Sequence, residues 1–396
     1  MDPLVTAMIV HYEAEPAMLR RCLDSLRAQT YPSLEVVLVD NGSDPGALDP
    51  VAAGYPEVQV VRLPRNLGFA AGVNRGIAAA RGELVLPLNF DVELDPDCVG
   101  ELVKVLAEED DLAGVAPKTV FMHDRHLIDS VGNLIDPFGS AYNMGIGQLD
   151  IGQYDLCERV FGVCFAAALC RKVAFGESAV GPLDESYFLY YEDVDWCYRA
   201  NLLGWRFRTA PRAVVAHVHS AAARRLDYAV KYYLIQRNLL RTVVKNFEGP
   251  RALHVLARRL LDHLANAVRR GPFWGAGLRA VRGLARRLPR DWGARRRLQP
   301  RRRVSDPAIF RYSAGERPHF DPVRYAPLYR LVTLEAMYRR RFGVTGDARS
   351  GEIAAALGRL AESKLGLEPE PRARLERELF GDEPAFVRDF FRKVGA

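Results

Sequence analysis

The chain has 396 residues, of which 49% are hydrophobic and 26% are charged, and its formal net charge is +6. This composition excludes an intrinsically disordered chain and a collagen-like repeat. The charge is unevenly spread: residues 251–303 hold 16 arginines against two acidic residues, a local +14, whereas the rest of the chain sums to −8. At about 100–200 residues per domain, the length predicts two or three domains. We place their boundaries at 1–250, 251–303 and 304–396.

The six cysteines are scattered, with no C-x-x-C pair and no metal-type spacing. They are therefore predicted to be buried free thiols in a reducing compartment. The N-terminal residues lack the basic region and the apolar run of a secretory signal peptide, and no window reaches about 18 uninterrupted apolar residues. We expect a cytoplasmic protein, peripheral at the inner face of the cell membrane.

Short apolar runs alternate with helical patterns over the first ninety residues. Strands are predicted at 5–10, 34–39, 58–63 and 83–88, and helices at 16–28 and 69–80. The second strand is almost wholly apolar, as expected of a strand that is covered on both faces of a parallel sheet. Repeated β-α units of this kind predict an α/β fold with a mainly parallel, doubly wound sheet.

Polar residues follow the ends of these strands. Ligands of such sheets bind beyond the carboxyl ends of the strands, so one crevice should be lined by His11, Tyr12, Glu13, Asp40, Asn41, Arg65, Asn66, Asn89 and Asp91. No G-x-G-x-x-G, G-x-x-x-x-G-K-[ST] or G-x-S-x-G motif is present, so dinucleotide oxidoreductases, P-loop NTPases and serine hydrolases lose their main signatures. A sugar nucleotidyltransferase would need a glycine-rich basic loop where this chain has the acidic stretch HYEAE (11–15).

Three stretches carry side chains suited to catalysis. Asn89 and Asp91 follow a strand, a position where a carboxylate can hold a divalent ion against substrate phosphates. The stretch YYEDVDW (190–196) places three carboxylates at a predicted helix start, where they would also complement the helix dipole. His217 and His219 are two residues apart, so on a strand both imidazoles would share one face, although such a pair is often structural.

The order of these stretches resembles the GT-A-fold glycosyltransferases of family 2, in particular the bacterial rhamnosyltransferase-like branch. The likeness covers about residues 4–250. The matching stretches are QTYP (29–32), VDNGS (39–43), NLGFAAGVNRG (66–76), DPFGSAYN (136–143), GQYD (152–155) and DESYFLYYEDVD (184–195). The resemblance implies a Rossmann-like GT-A catalytic domain followed by a mainly helical C-terminal region.

The resemblance also implies a reaction, the transfer of a sugar from a nucleotide-diphosphate sugar to a hydroxyl group. Asp193 would be the general base, and Glu192 and Asp195 would shape the acceptor site or hold the helix start. A single in-line displacement of this kind inverts the anomeric centre and needs no protein nucleophile.

A divalent cation, Mg²⁺ or Mn²⁺, would stabilise the departing diphosphate. The resemblance assigns this ion to Asp91 and His217, with His219 as an additional candidate ligand. The residues expected to bind the nucleotide sugar are His11, Tyr12, Glu13, Asp40, Asn66, Asn74 and Asn89. Among them, Asp40 would meet the pyrimidine base.

We expect thymidine-diphosphate-rhamnose (dTDP-rhamnose) as the donor, with a UDP-sugar as the alternative, and a glycan or lipid-linked glycan as the acceptor. A competing interpretation from another class is a catalytically silent scaffold that keeps the fold and docks on a membrane. Turnover would separate the two, because only the enzyme releases a nucleoside diphosphate.

The C-terminal third is predicted to be helical. A helix at 227–247 is followed by two stretches whose leucines recur at helical spacing, interrupted at 271–272. These stretches place arginines on their other faces, a pattern that favours docking on an anionic membrane surface over a solvated basic face packed on the catalytic domain. No nucleic-acid-reading motif is present. Residues 304–396 are expected to form a helical appendage, and the sequence predicts no oligomeric state.

Overall fold

The computed structural model describes residues 2–311 except 14, 147–149, 151, 153, 156–158, 220–226 and 272. Its strands are β1 (Val5–His11), β2 (Leu34–Asp40), β3 (Gln59–Arg62), β4 (Leu84–Asn89), β5 (Val92–Leu94), β6 (Leu112–Phe121), β7 (Asp124–Ser130), β8 (Asn133–Ile135), β9 (Ala141–Asn143), β10 (Leu169–Arg171) and β11 (Arg206–His217). Its helices are α1 (Pro16–Arg27), α2 (Pro45–Ala52), α3 (Phe69–Ala79), α4 (Cys98–Ala107), α5 (Glu192–Leu202), α6 (Tyr228–Asn246), α7 (Gly249–Val268), α8 (Trp274–Leu298) and α9 (Asp306–Phe310). The predicted appendage at 304–396 lies mostly outside the described residues.

The main sheet has the strand order β3-β2-β1-β4-β10-β6-β11-β5, and β7 pairs with β6. Strands β3, β2, β1 and β4 run parallel, as the repeated β-α units predict. The short strand β10 lies antiparallel between β4 and β6, and β11 then runs parallel to β6 and antiparallel to β5. The α/β fold class is confirmed, and the sheet is mixed because β10 reverses direction in its middle.

Helix α3 lies close against β1 because it has glycines where the two elements meet. A Cβ atom at Gly72 would come within 2.6 Å of the Val10 side chain, and one at Gly76 within 2.8 Å of the Met8 sulfur. The small-residue pattern of α3 therefore brings the start of this helix, at Phe69, to the edge of the sheet where the parallel strands end.

The register of the strands gathers their ends at one edge. His11 lies opposite Asp40, and Val10 lies opposite Asn89. On the other side of the sheet, His217 at the end of β11 lies opposite Val92, directly after Asp91. Residues that are far apart in the sequence thus meet at this edge, which is the crevice expected from the sequence.

The helices after the sheet differ in what they contact. Arg241 on α6 and Asp291 on α8 form a buried ion pair at 2.8 Å, and Arg295 donates to the carbonyl groups of Val244 and Phe247 at 2.9 and 2.6 Å. Helix α7 instead leaves a row of apolar side chains exposed, namely Leu253, Leu260, Leu261, Leu264 and Val268. None of the described helices is both long enough and apolar enough to span a bilayer.

Candidate active site

The ends of β1 and β2 build a polar pocket wall around Asp40. One oxygen of this buried carboxylate accepts the Ser43 N–H at 2.9 Å, and the other faces the Arg62 guanidinium at 3.3 Å. His11 Nδ1 lies 3.0 Å from the Ser43 hydroxyl. Burial lowers the pKa of His11, and the negative charge of Asp40 opposes this only in part, so the imidazole is neutral near pH 7.

Tyr12 and Glu13 form the turn that leaves β1. Glu13 has a left-handed backbone, with φ of 44°, and its N–H donates to the Ser43 hydroxyl at 2.9 Å. Both side chains are exposed at the surface. The structure thus places them next to Asp40 at the crevice edge, and their contact with a nucleotide stays a prediction.

The stretch that begins at residue 66 is held by side-chain amides. Asn41 Nδ2 donates to the Gly68 carbonyl at 3.1 Å, and Asn66 Oδ1 accepts the Gly68 N–H at 2.9 Å. Asn74 exchanges hydrogen bonds with the backbone of Leu183 at 2.9 and 3.0 Å. The predicted donor-binding residues Asn66 and Asn74 are therefore engaged within the protein, and a role of their side chains toward a donor stays a prediction.

Three polar residues meet where β4 and β11 end and β5 begins. His217 Nε2 lies 3.4 Å from an Asp91 oxygen and 3.5 Å from Asn89 Nδ2. On the opposite side of the same ring, His217 Nδ1 lies 2.6 Å from a carboxylate oxygen of Asp129 on β7, and His219 Nδ1 lies 2.8 Å from the other oxygen. His219 reaches Asp129 through a left-handed backbone, with φ of 59°, beyond the end of the strand.

Electrostatics tightly couple these residues. Burial alone would lower the pKa of His217, but hydrogen bonds to Asp129 and Asp91 raise it to about 9. Burial opposes ionisation of Asp129, yet the hydrogen bonds from His217 and His219 hold the pKa of Asp129 well below its usual range. In the protein alone, a protonated His217 thus supplies the positive charge between two carboxylates.

The same residues fit a divalent cation. Carboxylate oxygen and imidazole nitrogen are both ligands for Mn²⁺, and Asp91 and His217 Nε2 are close enough to share one ion. Asp129, His217 and His219 also place one ligand atom each within 4.8 Å of one another, which gives a second possible cluster. The His217 ring has Asp91 on one side and Asp129 on the other, so one ion cannot use both of these contacts through the same nitrogen.

The first turn of α5 carries three carboxylates in different surroundings. Asp195 and Glu192 are buried, whereas Asp193 is partly exposed. One Asp193 oxygen accepts the Val194 N–H at 2.7 Å, and the other lies 3.4 Å from Asn133 Nδ2. Within the described part of the chain, Glu192 Oε2 is buried and has no hydrogen-bond partner.

These surroundings shift the pKa values of the three carboxyl groups differently. Burial and the negative charge of Asp193 raise the pKa of Glu192 well above its usual range. Burial also raises the pKa of Asp193, and hydrogen bonds from its neighbours partly offset this effect. Asp195 is different, because Lys245 and Arg199 lower its pKa despite complete burial.

The pKa of Cys164 is affected by carboxylates from two elements, α5 and β7. Burial raises the pKa of this thiol well above its usual range, and the negative charges of Asp193 and Asp129 add to the effect. Asp193 lies 3.4 Å from Asn133 at the start of β8, and the preceding strand β7 carries Asp129. The predicted base and the carboxylate that contacts His217 therefore lie on neighbouring elements.

Two residues of this site were missed by sequence reasoning. Asp129 follows the buried apolar residues of β7, and Asn133 precedes those of β8. Each of the two polar residues is therefore next to buried apolar side chains. A polar residue fully buried in such a strand is itself a signal, because it needs a hydrogen-bond partner. The sequence does not indicate the partners, because His217 lies 88 residues from Asp129 and Asp193 lies 60 residues from Asn133.

Comparison with known proteins agrees with this geometry. Residues 6–175 match the family model described as glycosyl transferase family 2. The chain is 29% identical over 251 residues to an N-acetylglucosaminyl-diphospho-decaprenol L-rhamnosyltransferase of Mycobacterium tuberculosis, which covers 58% of this chain and 80% of the relative. It is 31% identical over 211 residues to a pre-mycofactocin glycosyltransferase of the same organism, over 52% of this chain and 41% of the relative.

A solved structure shares the fold. The crystal structure of GalNAc-T7 with UDP, GalNAc and Mn²⁺ superposes with a TM-score of 0.51 at 17% identity, over 61% of this chain and 48% of that chain. The sheet order, the family model and the similarity to a rhamnosyltransferase all indicate a glycosyltransferase fold. Residues 6–175 therefore resemble the glycosyl transferase family 2, and the chain has the GT-A fold.

Proposed function

We propose that this glycosyltransferase inverts the anomeric centre of its donor and uses Asp193 as its general base. The observation that carries this proposal is the contrast within the first turn of α5. Asp195 is paired with Lys245 and Arg199 and Glu192 is buried, so Asp193 is the partly exposed carboxylate that can accept a proton. A base within hydrogen-bond reach of the acceptor is worth about 10²–10⁴-fold in rate.

The step balances with no covalent intermediate on the protein. Asp193 takes the proton of the acceptor hydroxyl while that oxygen bonds to the anomeric carbon. The bond from this carbon to the diphosphate breaks, and its electron pair leaves with the nucleoside diphosphate. A divalent cation, Mg²⁺ or Mn²⁺, supplies charge stabilisation for this leaving group when it is bound.

Asp91 and His217 would hold that cation. Asp129 accepts a hydrogen bond from His217 Nδ1, which leaves Nε2 directed toward Asp91 and the substrate side. Metal-binding imidazoles are commonly oriented by a carboxylate on their other nitrogen. His219 contacts the other oxygen of Asp129, so it would help to hold this carboxylate and would not be a ligand on the Asp91 side.

The donor is proposed to be dTDP-rhamnose, with a UDP-sugar as the alternative. The rhamnosyltransferase of M. tuberculosis supports rhamnose, and the buried Asp40 offers an acceptor for the N3–H that thymine and uracil share. His11, Tyr12, Glu13, Asn66, Asn74 and Asn89 would complete the nucleotide-sugar site. The acceptor is proposed to be a glycan on a lipid carrier, as the name of that relative suggests.

A membrane-bound acceptor requires the protein to reach a membrane surface. The exposed apolar row on α7 and the arginines of residues 251–303 support docking on an anionic membrane from the cytoplasmic side. An interfacial helix needs an apolar face next to a basic one, and α7 offers both.

The test is turnover. Purified protein with Mn²⁺ or Mg²⁺, a lipid-linked N-acetylglucosamine acceptor and a panel of nucleotide sugars should release a nucleoside diphosphate, fastest with dTDP-rhamnose. Release with a UDP-sugar alone would replace the donor but keep the reaction. No release with any donor, from folded protein that still binds vesicles, would favour the silent scaffold.

A further inference from the structure

The turn at 187–191, directly before α5, has a strained backbone. Phe188, Tyr190 and Tyr191 all have positive φ, at 69°, 66° and 69°. L-residues rarely adopt this region, and three bulky ones within four positions persist only where the surrounding structure over-determines the backbone. Such strain is typical of active sites, and here it lies two residues from Asp193.

A buried side chain on α6 contacts three carbonyl groups of this turn, and its neighbour Arg237 donates from Nη2 to the Tyr187 carbonyl at 2.8 Å. Asn238 is fully buried, and its Nδ2 atom lies 3.1, 3.0 and 2.7 Å from the carbonyl oxygens of Tyr187, Leu189 and Tyr190. Arg237 donates from Nε to Asn238 Oδ1 at 2.9 Å, so the amide nitrogen is kept on the side of the turn. The three carbonyl groups therefore share one donor group whose orientation is fixed.

The turn sets the direction in which α5 begins. The Tyr191 carbonyl accepts the Asp195 N–H at 2.8 Å, which closes the first helical turn around Asp193. The Phe188 carbonyl accepts the Phe69 N–H at 2.6 Å, and Phe69 is the first residue of α3 in the predicted donor-binding stretch. The same turn is thus bonded to the start of the base helix and to the start of the donor helix.

We propose that Asn238 is a positioning residue for the general base. By bonding the 187–191 turn, it fixes the first turn of α5 relative to α3 and so places the Asp193 carboxylate against the hydroxyl of an acceptor beside the bound donor. This inference rests on the proposed role of Asp193. It also makes α6, which follows the sheet in sequence, part of the catalytic arrangement.

The experiment compares Asn238→Ala with a matched buried asparagine. Asn201 lies at the far end of α5, also buried, and its Nδ2 donates to the Phe161 and Cys197 carbonyl groups at 2.6 and 2.8 Å. Asn201→Ala therefore removes a similar set of bonds away from the 187–191 turn. Three quantities are measured on the full chain: kcat, the dissociation constant of the donor, and hydrogen–deuterium exchange of the peptide that covers 187–193.

Asn238→Ala should lower kcat by about 100-fold, since misplacing a reacting group by about 1 Å can cost that much. Asn238 does not bond the Phe188 carbonyl that holds α3, so the donor dissociation constant should stay within about threefold. Exchange in 187–193 should rise in this variant and stay at the wild-type level in Asn201→Ala. If Asn238→Ala proves insoluble, Arg237→Ala, at a half-exposed position, should show the same pattern with a smaller fall in kcat.

The idea is overturned if Asn238→Ala and Asn201→Ala lower kcat equally, or if exchange in 187–193 stays unchanged. Failure of the proposed function would look different, because wild-type protein would then release no nucleoside diphosphate from any donor. In that case the exchange comparison alone decides whether Asn238 holds the turn: no rise in Asn238→Ala refutes the claim, and a localised rise supports it.

Discussion

Two clusters of buried charge lie on opposite sides of α5 and are built differently. Beneath the helix, carboxylates and cations pair with one another; this ion network consists of Asp184, Asp195, Asp291, Arg199, Arg241 and Lys245. In the crevice, Asp91 and Asp129 contact the imidazoles of His217 and His219, whereas Glu192 and Asp193 form no ion pair among the described residues. The network satisfies its charges internally, whereas the crevice leaves carboxyl groups able to bind a proton or a cation.

The difference shows that sequence position alone does not assign a role. Asp193 and Asp195 are two residues apart on one helical turn, yet Asp195 is held by Lys245 and Arg199 at 3.0 Å each while Asp193 has only amide donors. The number of cationic partners separates the group that stabilises the fold from the group that is available for catalysis. Substitutions in each cluster should therefore fail in different ways.

The largest effect is expected for Asp193→Asn. The change keeps the shape of the side chain but removes the proton acceptor, so kcat should fall by about 10²–10⁴-fold. Initial rates of nucleoside diphosphate release with donor and acceptor measure this, and donor binding should be retained. Glu192→Gln is the matched comparison: Glu192 is buried whereas Asp193 is partly exposed, so the fall in kcat should be much smaller. Equal rates for Asp193→Asn and wild type would refute the assignment of the base.

In the ion network, Asp291→Ala should damage stability and not chemistry. It leaves the Arg241 guanidinium buried without its 2.8 Å partner, and breaking a buried pair in this way costs about 3–5 kcal/mol. Denaturant unfolding of the full chain measures the change. Glu57→Gln, which breaks the exposed Arg27–Glu57 pair, is the control and should change stability far less, since solvent screens an exposed pair. Similar losses for both variants would contradict the contrast between buried and exposed pairs.

The sequence predicted one region well because its signals are local. The apolar runs that became β1 and β2 are bounded by turn residues, and the small-residue helix α3 begins at its predicted residue, Phe69. The reversal at β10 could not be predicted in the same way. Leu169–Arg171 is a three-residue strand whose place is set by its partners β4 and β6, and no local pattern records such pairing.

The C-terminal helices also show that a local sequence pattern does not predict tertiary contacts. α7 and α8 share an arginine-rich amphipathic pattern, so the sequence predicted one role for both. In the structure, α8 is tied to α6 through Asp291 and Arg295, and α7 keeps Leu261 and Val268 exposed. Which face finds a partner depends on tertiary contacts that the periodicity of a single helix does not contain.

Within the crevice, Asp129→Asn should weaken Mn²⁺ binding by about 10–100-fold, the usual effect of removing a carboxylate that orients a metal-binding imidazole. Titration of the full chain with Mn²⁺, followed by electron paramagnetic resonance without donor, measures this affinity directly. His219→Gln keeps Asp129 and Asp91 and should have the smaller effect. If His219→Gln weakened binding as much as His217→Gln, the ion would belong to the Asp129, His217 and His219 cluster instead.

Lowering the pH should abolish the activity of the crevice before it breaks the ion network that stabilises the fold. A base must be ionised, and because the pKa of Asp193 is raised, activity should fall at a higher pH than an ordinary aspartate would give. The pKa of Asp184 is lowered by Lys245 and Arg241 despite its burial, so its contribution to stability is present above the unfolded aspartate pKa of about 3.9 and is lost only as pH falls through the folded value.

There should therefore be a pH range in which the protein is inactive but folded. Rates and near-ultraviolet circular dichroism, recorded in the same buffers, test this expectation. Coincident loss of activity and of the dichroism signal would show that unfolding, and not protonation of the base, limits activity in acid.

The smallest effect is expected on α7. Leu261→Asn and Val268→Asn change two side chains that are 63% and 85% exposed, so the fold should tolerate both. Each loses part of the roughly 1.5–3 kcal/mol that full burial of such a side chain contributes, and each variant should bind vesicles several-fold more weakly. Sedimentation with neutral phosphatidylcholine vesicles measures the apolar contribution to vesicle binding. The additional binding to phosphatidylglycerol-containing vesicles measures the contribution of charge.

Val173→Asn is the matched control for these variants, because Val173 is 65% exposed on the catalytic domain, in a short turn after β10. It should bind vesicles like wild type if α7 is the docking face. Equal binding of wild type to neutral and anionic vesicles would remove the role of the arginines. Equal losses in Val173→Asn and Leu261→Asn would move the docking surface away from α7, since nothing but position distinguishes the two exposed aliphatic side chains.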